Sequence, residues 1–95
     1  MKVIVSFANA NSERVWQRQR VTKFSLEMQR AAYKRMLILD AADFLIDLRR
    51  PPGNSLEALQ SDRAGQHSIR INDQWRLCFT WTANGPENVE IVDYH

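Results

Sequence analysis

The chain has one cysteine in 95 residues, Cys78, so it holds no internal disulfide and no thiolate cluster for a metal. A reducing cytoplasm is the expected compartment. Long apolar runs are also missing: stretches such as Met36 to Leu39 and Phe44 to Ile46 are far shorter than a bilayer requires. The opening MKVIVSFANA reaches Asn9 without a sustained hydrophobic segment, so no secretory leader is expected. There is no G-x-S-x-G elbow, H-E-x-x-H pair, phosphate-binding P-loop or dinucleotide fingerprint. With two histidines and no recognisable relay, Cys78 reads as a packed or semi-exposed free thiol and not a nucleophile. Neither an internal repeat nor a low-complexity segment occurs, and the length leaves no room for a second folded domain.

What remains has an ordinary globular balance, 44% apolar and 25% charged, which disfavours disorder. The net charge of +2 conceals an asymmetry. Residues 1–39 carry eight Lys/Arg against two Asp/Glu, whereas residues 40–95 carry five against nine. Ten of the thirteen basic residues are arginine, whose planar fork suits phosphate and carboxylate. The basic part points to nucleic acid or an acidic partner protein, with a solvated helix surface as the plain alternative.

Residues Lys2 to Phe7 predict a first strand from their β-branched and aromatic content. Asn9, Asn11 and Ser12 supply a turn and a helix cap, followed by a short helix over Glu13 to Gln19 with Val15 and Trp16 inward. Ser25 caps a longer helix, in which Met28, Ala32, Met36 and Leu39 form an apolar stripe widened by Leu26, Tyr33 and Leu37. Gln29, Arg30, Lys34 and Arg35 take the opposite side. Asp40 or Asp43 caps a further short helical piece through Phe44, Leu45 and Leu48, with Arg49 and Arg50 at its C-terminal end. Pro51-Pro52-Gly53-Asn54 then breaks the helix.

Beyond this break the pattern changes. Leu56 to Gln60 is a short strand or a helical turn, and Ser61 to Gly65 a polar loop. From Ser68 the period becomes two: Ile69 and Ile71 on one face, Ser68, Arg70 and Asn72 on the other. Asn72-Asp73-Gln74 turns the chain into a return strand with Trp75, Leu77, Phe79 and Trp81 on one side and Arg76, Cys78 and Thr80 on the other. Residues Thr82 to Asn88 form a second turn before a last strand over Val89 to Tyr94.

Two groups on this sheet can carry chemistry. Arg70 and Arg76 occupy polar positions on neighbouring strands and are expected on one exposed face, where two guanidiniums repel unless an anion lies between them. That anion is a phosphate, or Glu57 or Glu90 as a structural counterion. The run Asp93-Tyr94-His95 offers a carboxylate, a phenol and an imidazole. Such groups fit RNA cleavage by the 2′-hydroxyl, which needs a proton acceptor, a cation at the phosphate and a proton donor for the 5′-oxygen. A tyrosine can also stack on an unpaired base. The alternative is a frayed end in which His95 does nothing.

PPGNSLEAL, SDRAGQHSIRINDQWRLCFTW and NVEIVDYH closely resemble HigB-type toxins of the RelE/ParE superfamily, the toxin halves of bacterial toxin–antitoxin pairs. The resemblance is strong from Leu39 to His95 and loose before it. It implies one α+β domain over residues 1–95, RelE-like, with two N-terminal helices packed on a twisted, mainly antiparallel sheet. It further implies a cytoplasmic, metal-independent mRNA interferase without cofactor, acting with the ribosome on mRNA. A HigA-like helix-turn-helix antitoxin would neutralise it and set its oligomeric state, with no membrane partner. On this resemblance Arg76, Asp93, Tyr94 and His95 are the catalytic group, and Arg70 and Arg63 contact RNA phosphates. Family members commonly read LKGDR where this chain has Leu59 to Arg63, and some carry a histidine near Glu57. Arg63 is the charge that could stand in for the missing lysine. A non-nucleolytic relative, poisoning gyrase or serving as a corepressor with its antitoxin, is the second reading.

Overall fold

The computed structural model describes residues 3–50 and 52–93. Helix α1 spans Ala10–Trp16 and helix α2 spans Leu26–Ala41. Strands β1 (Glu57–Ala58), β2 (His67–Arg70), β3 (Trp75–Thr82) and β4 (Gly85–Asp93) form one antiparallel sheet in the order β1-β2-β3-β4. Two helices on a four-stranded sheet is the expected α+β arrangement.

Local chemistry explains the helix starts. The Asn9 side chain accepts from the Ser12 amide at 2.9 Å, starting α1 three residues earlier than expected. Ser25 caps α2 as its position predicts, its Oγ accepting from the Met28 amide at 3.1 Å. Met28, Ala32, Met36 and Leu39 are buried from α2. They meet Ile69, Leu77, Phe79, Val89 and Ile91 of the sheet, a core that Val15, Val21, Phe24 and Leu48 close at its margins. Burying such side chains is the main term favouring the fold, about 1.5–3 kcal/mol each.

The structure corrects several sequence expectations. Leu26 and Leu37 do not widen the buried stripe of α2, being 48% and 45% exposed. Gln29, expected on the outer side, is buried because its amide is bonded. Its Oε1 accepts from the Val21 amide at 3.0 Å, and its Nε2 donates to the Gln19 carbonyl at 2.6 Å, pinning the connection between the helices. The piece after α2 is a 3₁₀ helix, Leu45–Arg49, and its cap comes from inside. Asp47 Oδ2 accepts from the Asp43 and Phe44 amides, whereas Asp40 accepts from the Ile4 amide at 2.9 Å. Phe44, expected within this helical piece, is its exposed N-cap residue.

Lys2 of the expected first strand lies outside the described residues; from Val3 to Phe7 the segment is extended, with one parallel bridge among the described residues, Phe7 to Val89, beside β4. It is held by backbone bonds from Val5 N–H to the Pro86 carbonyl and from Val89 N–H to the Ser6 carbonyl. Of Leu56 to Gln60, only Glu57–Ala58 is strand. The β3–β4 connection is shorter than expected, because Thr82 pairs with Gly85 and leaves Ala83 and Asn84 as the loop.

Candidate functional site

Pairing register sorts the polar side chains of the sheet, because residues directly opposite each other in antiparallel strands point to the same face. Ile69, Leu77 and Ile91 are mutual partners and face the helices. The other face carries the row Glu57, Ser68, Cys78 and Glu90 across the four strands, and beside it the row Arg70, Arg76 and Val92. Arg70 and Arg76 are therefore register partners on one face, as strand alternation suggests. That face is not open around Arg76, however: Arg76 is only 7% exposed, and Ser68 and Cys78 are fully buried.

Arg76 is covered by the segment between the helices and β2, and its guanidinium is bonded on most sides. Nε donates to Ser68 Oγ at 2.7 Å, Nη2 donates to the Ser55 carbonyl, and Nη1 lies 3.6 Å from Glu57 Oε1. The Ser55 carbonyl is aimed by local backbone geometry, since Ser55 has a left-handed φ of 47° after the Pro-Gly-Asn break. Asn54 anchors that turn from a fully buried position, its Nδ2 donating to the Leu48 carbonyl at 3.1 Å while its Oδ1 accepts from Arg35 of α2. A chain of contacts thus runs from α2 through Asn54 and Ser55 to Arg76. Sequence reading does not find it, because Arg35, Asn54 and Arg76 are about twenty residues apart and no local period links them.

Glu57 is 49% exposed, so its charge is partly hydrated and only weakly held by Arg76. Of the two counterions expected for the Arg70 and Arg76 pair, Glu57 takes Arg76, whereas Glu90 pairs with Arg63 and Arg70 pairs with Asp73. Glu90 takes Arg63 at 3.1 Å, and Arg63 Nη1 also donates to Gln66 Oε1 at 3.1 Å. The hydrogen bond that Arg63 donates to Glu90 raises the Arg63 pKa, with burial opposing it. Arg63 enters the face as a fixed cation close to Cys78.

These contacts make a partly enclosed polar face that gathers Arg63, Arg76, Glu57 and Glu90. Residues 5–95 match the HigB-like toxin family, described as the RelE-like toxin of type II toxin-antitoxin system HigB. The chain belongs to this family. The resemblance carried by SIRINDQWR and VEIVDYH is borne out. Toxin HigB-1 of Vibrio cholerae serotype O1 is 45% identical over 64 residues, covering 67% of this chain and 65% of the relative. The chain thus spans a little under two thirds of the length of that relative. Among solved structures, a YoeB/ParE toxin from Agrobacterium tumefaciens has a TM-score of 0.53 and 21% identity, covering 100% of this chain and 99% of that one. The YoeB-YefM complex from Staphylococcus aureus gives 0.55 at 21% identity, covering 100% and 98%. These two likenesses establish the fold.

The remaining family positions are distributed unevenly in this HigB-like chain. Arg70 closes the β2–β3 turn, bonded to Asp73, whose side chain is fully exposed. Asp93 pairs with Trp75, which puts its carboxylate on the opposite face of β4 from Arg76. There Oδ2 accepts from Gln74 Nε2 at 3.2 Å. Asp93 therefore does not meet Arg76 across the sheet, although both lie toward the same end of their strands. Tyr94 and His95 lie outside the described residues.

Cys78 is packed between the two ion pairs. Burial pushes its thiol pKa up, against the lowering effect of Arg63, while Glu90 adds to the rise. The thiol stays protonated at neutral pH, as its reading as a packed residue requires. Iodoacetamide at pH 8 is expected to leave Cys78 unmodified in the folded protein and to alkylate it in denaturant, measured by intact mass. Because the folded pKa lies above the unfolded one, this thiol contributes stability that is lost as pH rises through the alkaline range.

Among the described residues, no helix is long and apolar enough to cross a membrane.

Proposed function

We propose that this chain is an mRNA-cleaving toxin of a type II toxin–antitoxin pair, acting in the cytoplasm on ribosome-bound message and neutralised by a HigA-like helix-turn-helix antitoxin. The observation that carries the reading is Arg76, a guanidinium immobilised by Ser68 and the Ser55 carbonyl with one edge toward a displaceable, half-exposed carboxylate. A phosphate replacing Glu57 would meet a donor already oriented, and such preorganisation lowers the cost of stabilising a developing negative charge.

In the proposed reaction the RNA 2′-oxygen attacks the adjacent phosphorus as its proton passes to His95, the Asp93 carboxylate being turned to the other face of the sheet from Arg76. The extra charge on the phosphorane is held by Arg76. The bond from phosphorus to the 5′-oxygen then breaks, and that oxygen takes a proton from the newly protonated His95 or from Tyr94, which otherwise positions a base. The products are a 2′,3′-cyclic phosphate and a 5′-hydroxyl. Arg63 and Arg70 guide the flanking phosphates, each first exchanging its present carboxylate, Glu90 or Asp73, for RNA.

The family membership and the family's antitoxin pairing support this reading, and the Staphylococcus aureus neighbour is itself a complex of YoeB with YefM. The test uses purified protein, ribosomes programmed with a defined message, and mapping of RNA ends with and without EDTA. Cyclic or 3′-phosphate ends that persist in EDTA are expected. Intact message at high protein concentration, beside an active relative as control, would overturn the proposal in favour of a gyrase-directed or corepressor role. Within the reading, Glu57→Gln removes the competing charge. Exposed pairs are worth about 0.2–1 kcal/mol, so KM for programmed ribosomes should fall about 1.4-fold to fivefold, read from initial cleavage rates.

A further inference from the structure

Arg35 lies in α2 and Asn54 in the turn before β1, yet the bond between them bears on Arg76. Asn54 is fully buried and uses both ends of its amide: Nδ2 donates to the Leu48 carbonyl at 3.1 Å, and Oδ1 accepts from Arg35 Nη1. An amide bonded at both ends fixes one orientation of the turn, since rotating it would leave a buried donor and a buried acceptor unpaired. Gly53 lies against the same guanidinium, where an added Cβ would come 3.2 Å from Arg35 Nη2. Among the described residues Arg35 pairs with no carboxylate, so this cation of α2 is engaged by an amide instead. The next residue, Ser55, has its φ of 47° and offers its carbonyl to Arg76 Nη2.

A guanidinium is planar, so bonds at two of its nitrogens set its plane. Ser68 Oγ holds Nε at 2.7 Å from the sheet, and the Ser55 carbonyl holds Nη2 from the cover. Ser68 alone would leave the plane free to swing about the Nε bond. We propose that Arg35 and Asn54 are positioning residues for Arg76: by fixing the Ser55 carbonyl they set the plane of its guanidinium, and neither touches the RNA. The inference rests on the reading of Arg76 as the cation at the scissile phosphate. Aim matters there, because a misplacement of about 1 Å costs about 10²-fold in rate. A plainer role, in which Asn54 only stops the 3₁₀ helix Leu45–Arg49, explains its bond to Leu48 but not the arginine from α2.

The test compares Asn54→Ala, Arg35→Met and Arg35→Lys with the parent on programmed ribosomes, at a temperature where urea curves show each fully folded. In Asn54→Ala and Arg35→Met, kcat should fall about 10- to 100-fold with KM within about twofold of the parent. Arg35→Lys still donates to Asn54 Oδ1 and should stay within about threefold of the parent rate. Val15→Ala, a core truncation on α1, should lose stability and keep its kcat. In an Arg76→Ala background, Asn54→Ala should change the rate less than about twofold, because the aim of an absent group has no effect. Arginine side-chain ¹⁵N spectra without RNA give a readout independent of cleavage: the Arg76 Nη signals should exchange faster in Asn54→Ala and Arg35→Met than in the parent. Parent kcat in folded Asn54→Ala, or an undiminished loss in the Arg76→Ala background, would overturn the proposal. If the parent itself leaves message intact, the cleavage reading fails and the spectrum decides: faster exchange keeps Arg35 and Asn54 as positioning residues of Arg76, and unchanged signals overturn that role.

Discussion

Arg76→Ala is expected to lower the rate of message cleavage on programmed ribosomes about 10²- to 10³-fold, the usual consequence of removing one preorganised donor to a developing oxyanion. The same substitution costs stability, because Ser68 Oγ and the Ser55 carbonyl lose their donor in a region where water has little access. That cost should be about 1–3 kcal/mol by urea denaturation. Glu57 contributes little to it, being half exposed and able to hydrate. The two effects separate when cleavage is assayed under conditions where the variant is fully folded. A wild-type rate there would make Arg76 a structural arginine and remove the central group from the proposed mechanism. Arg76→Lys sharpens the test, since it keeps the charge but cannot bond Ser68, Ser55 and a phosphate at once. It should recover part of the stability and little of the rate.

The behaviour of Arg76 also shows where sequence is informative. Alternation along QWRLCFTW correctly separated Trp75, Leu77 and Phe79 from Arg76 and Cys78, because a strand's two faces are dictated by local geometry. It assigned the second face to solvent, since alternation reports which side a residue takes and not what lies above it. The cover comes from the segment anchored by Asn54 and Arg35, a contact made across nineteen residues and invisible to any period. Gln29 follows the same logic: its hydropathy places it outside, while its amide closes the Gln19 to Val21 connection from within. The cap at Ser25 and the stripe from Met28 to Leu39 were legible because both are satisfied inside one helix. Asp93 was recognisable from VEIVDYH, yet only the register with Trp75 tells which face its carboxylate takes.

Gly85→Ala is expected to be the most damaging of the small substitutions. The sequence suggests a turn at Asn84-Gly85, a reason for glycine that concerns conformation alone. The residue does have φ +127°, where an L side chain is strained, at a cost of about 1–3 kcal/mol. A second cause is steric: a Cβ there would lie 2.3 Å from the Val3 carbonyl oxygen. Backbone must therefore move, and the movable element is the extended segment before α1. That segment is tied down by the Ile4 amide on Asp40 and by backbone bonds of Val5, Ser6 and Ala8 to β4. Losing several of these, at about 1 kcal/mol each, adds to the conformational strain. A total loss of about 3–5 kcal/mol in urea unfolding follows. Gly65 provides the control, since its φ is +91° but nothing lies within 4 Å of an added Cβ. Gly65→Ala should show the conformational part alone. Removing residues 1–3 from the Gly85→Ala protein should then shrink its penalty, measured against the equally shortened parent, toward that of Gly65→Ala. An undiminished penalty would mean that the turn conformation, and not the approach of Val3, is what requires glycine at this position.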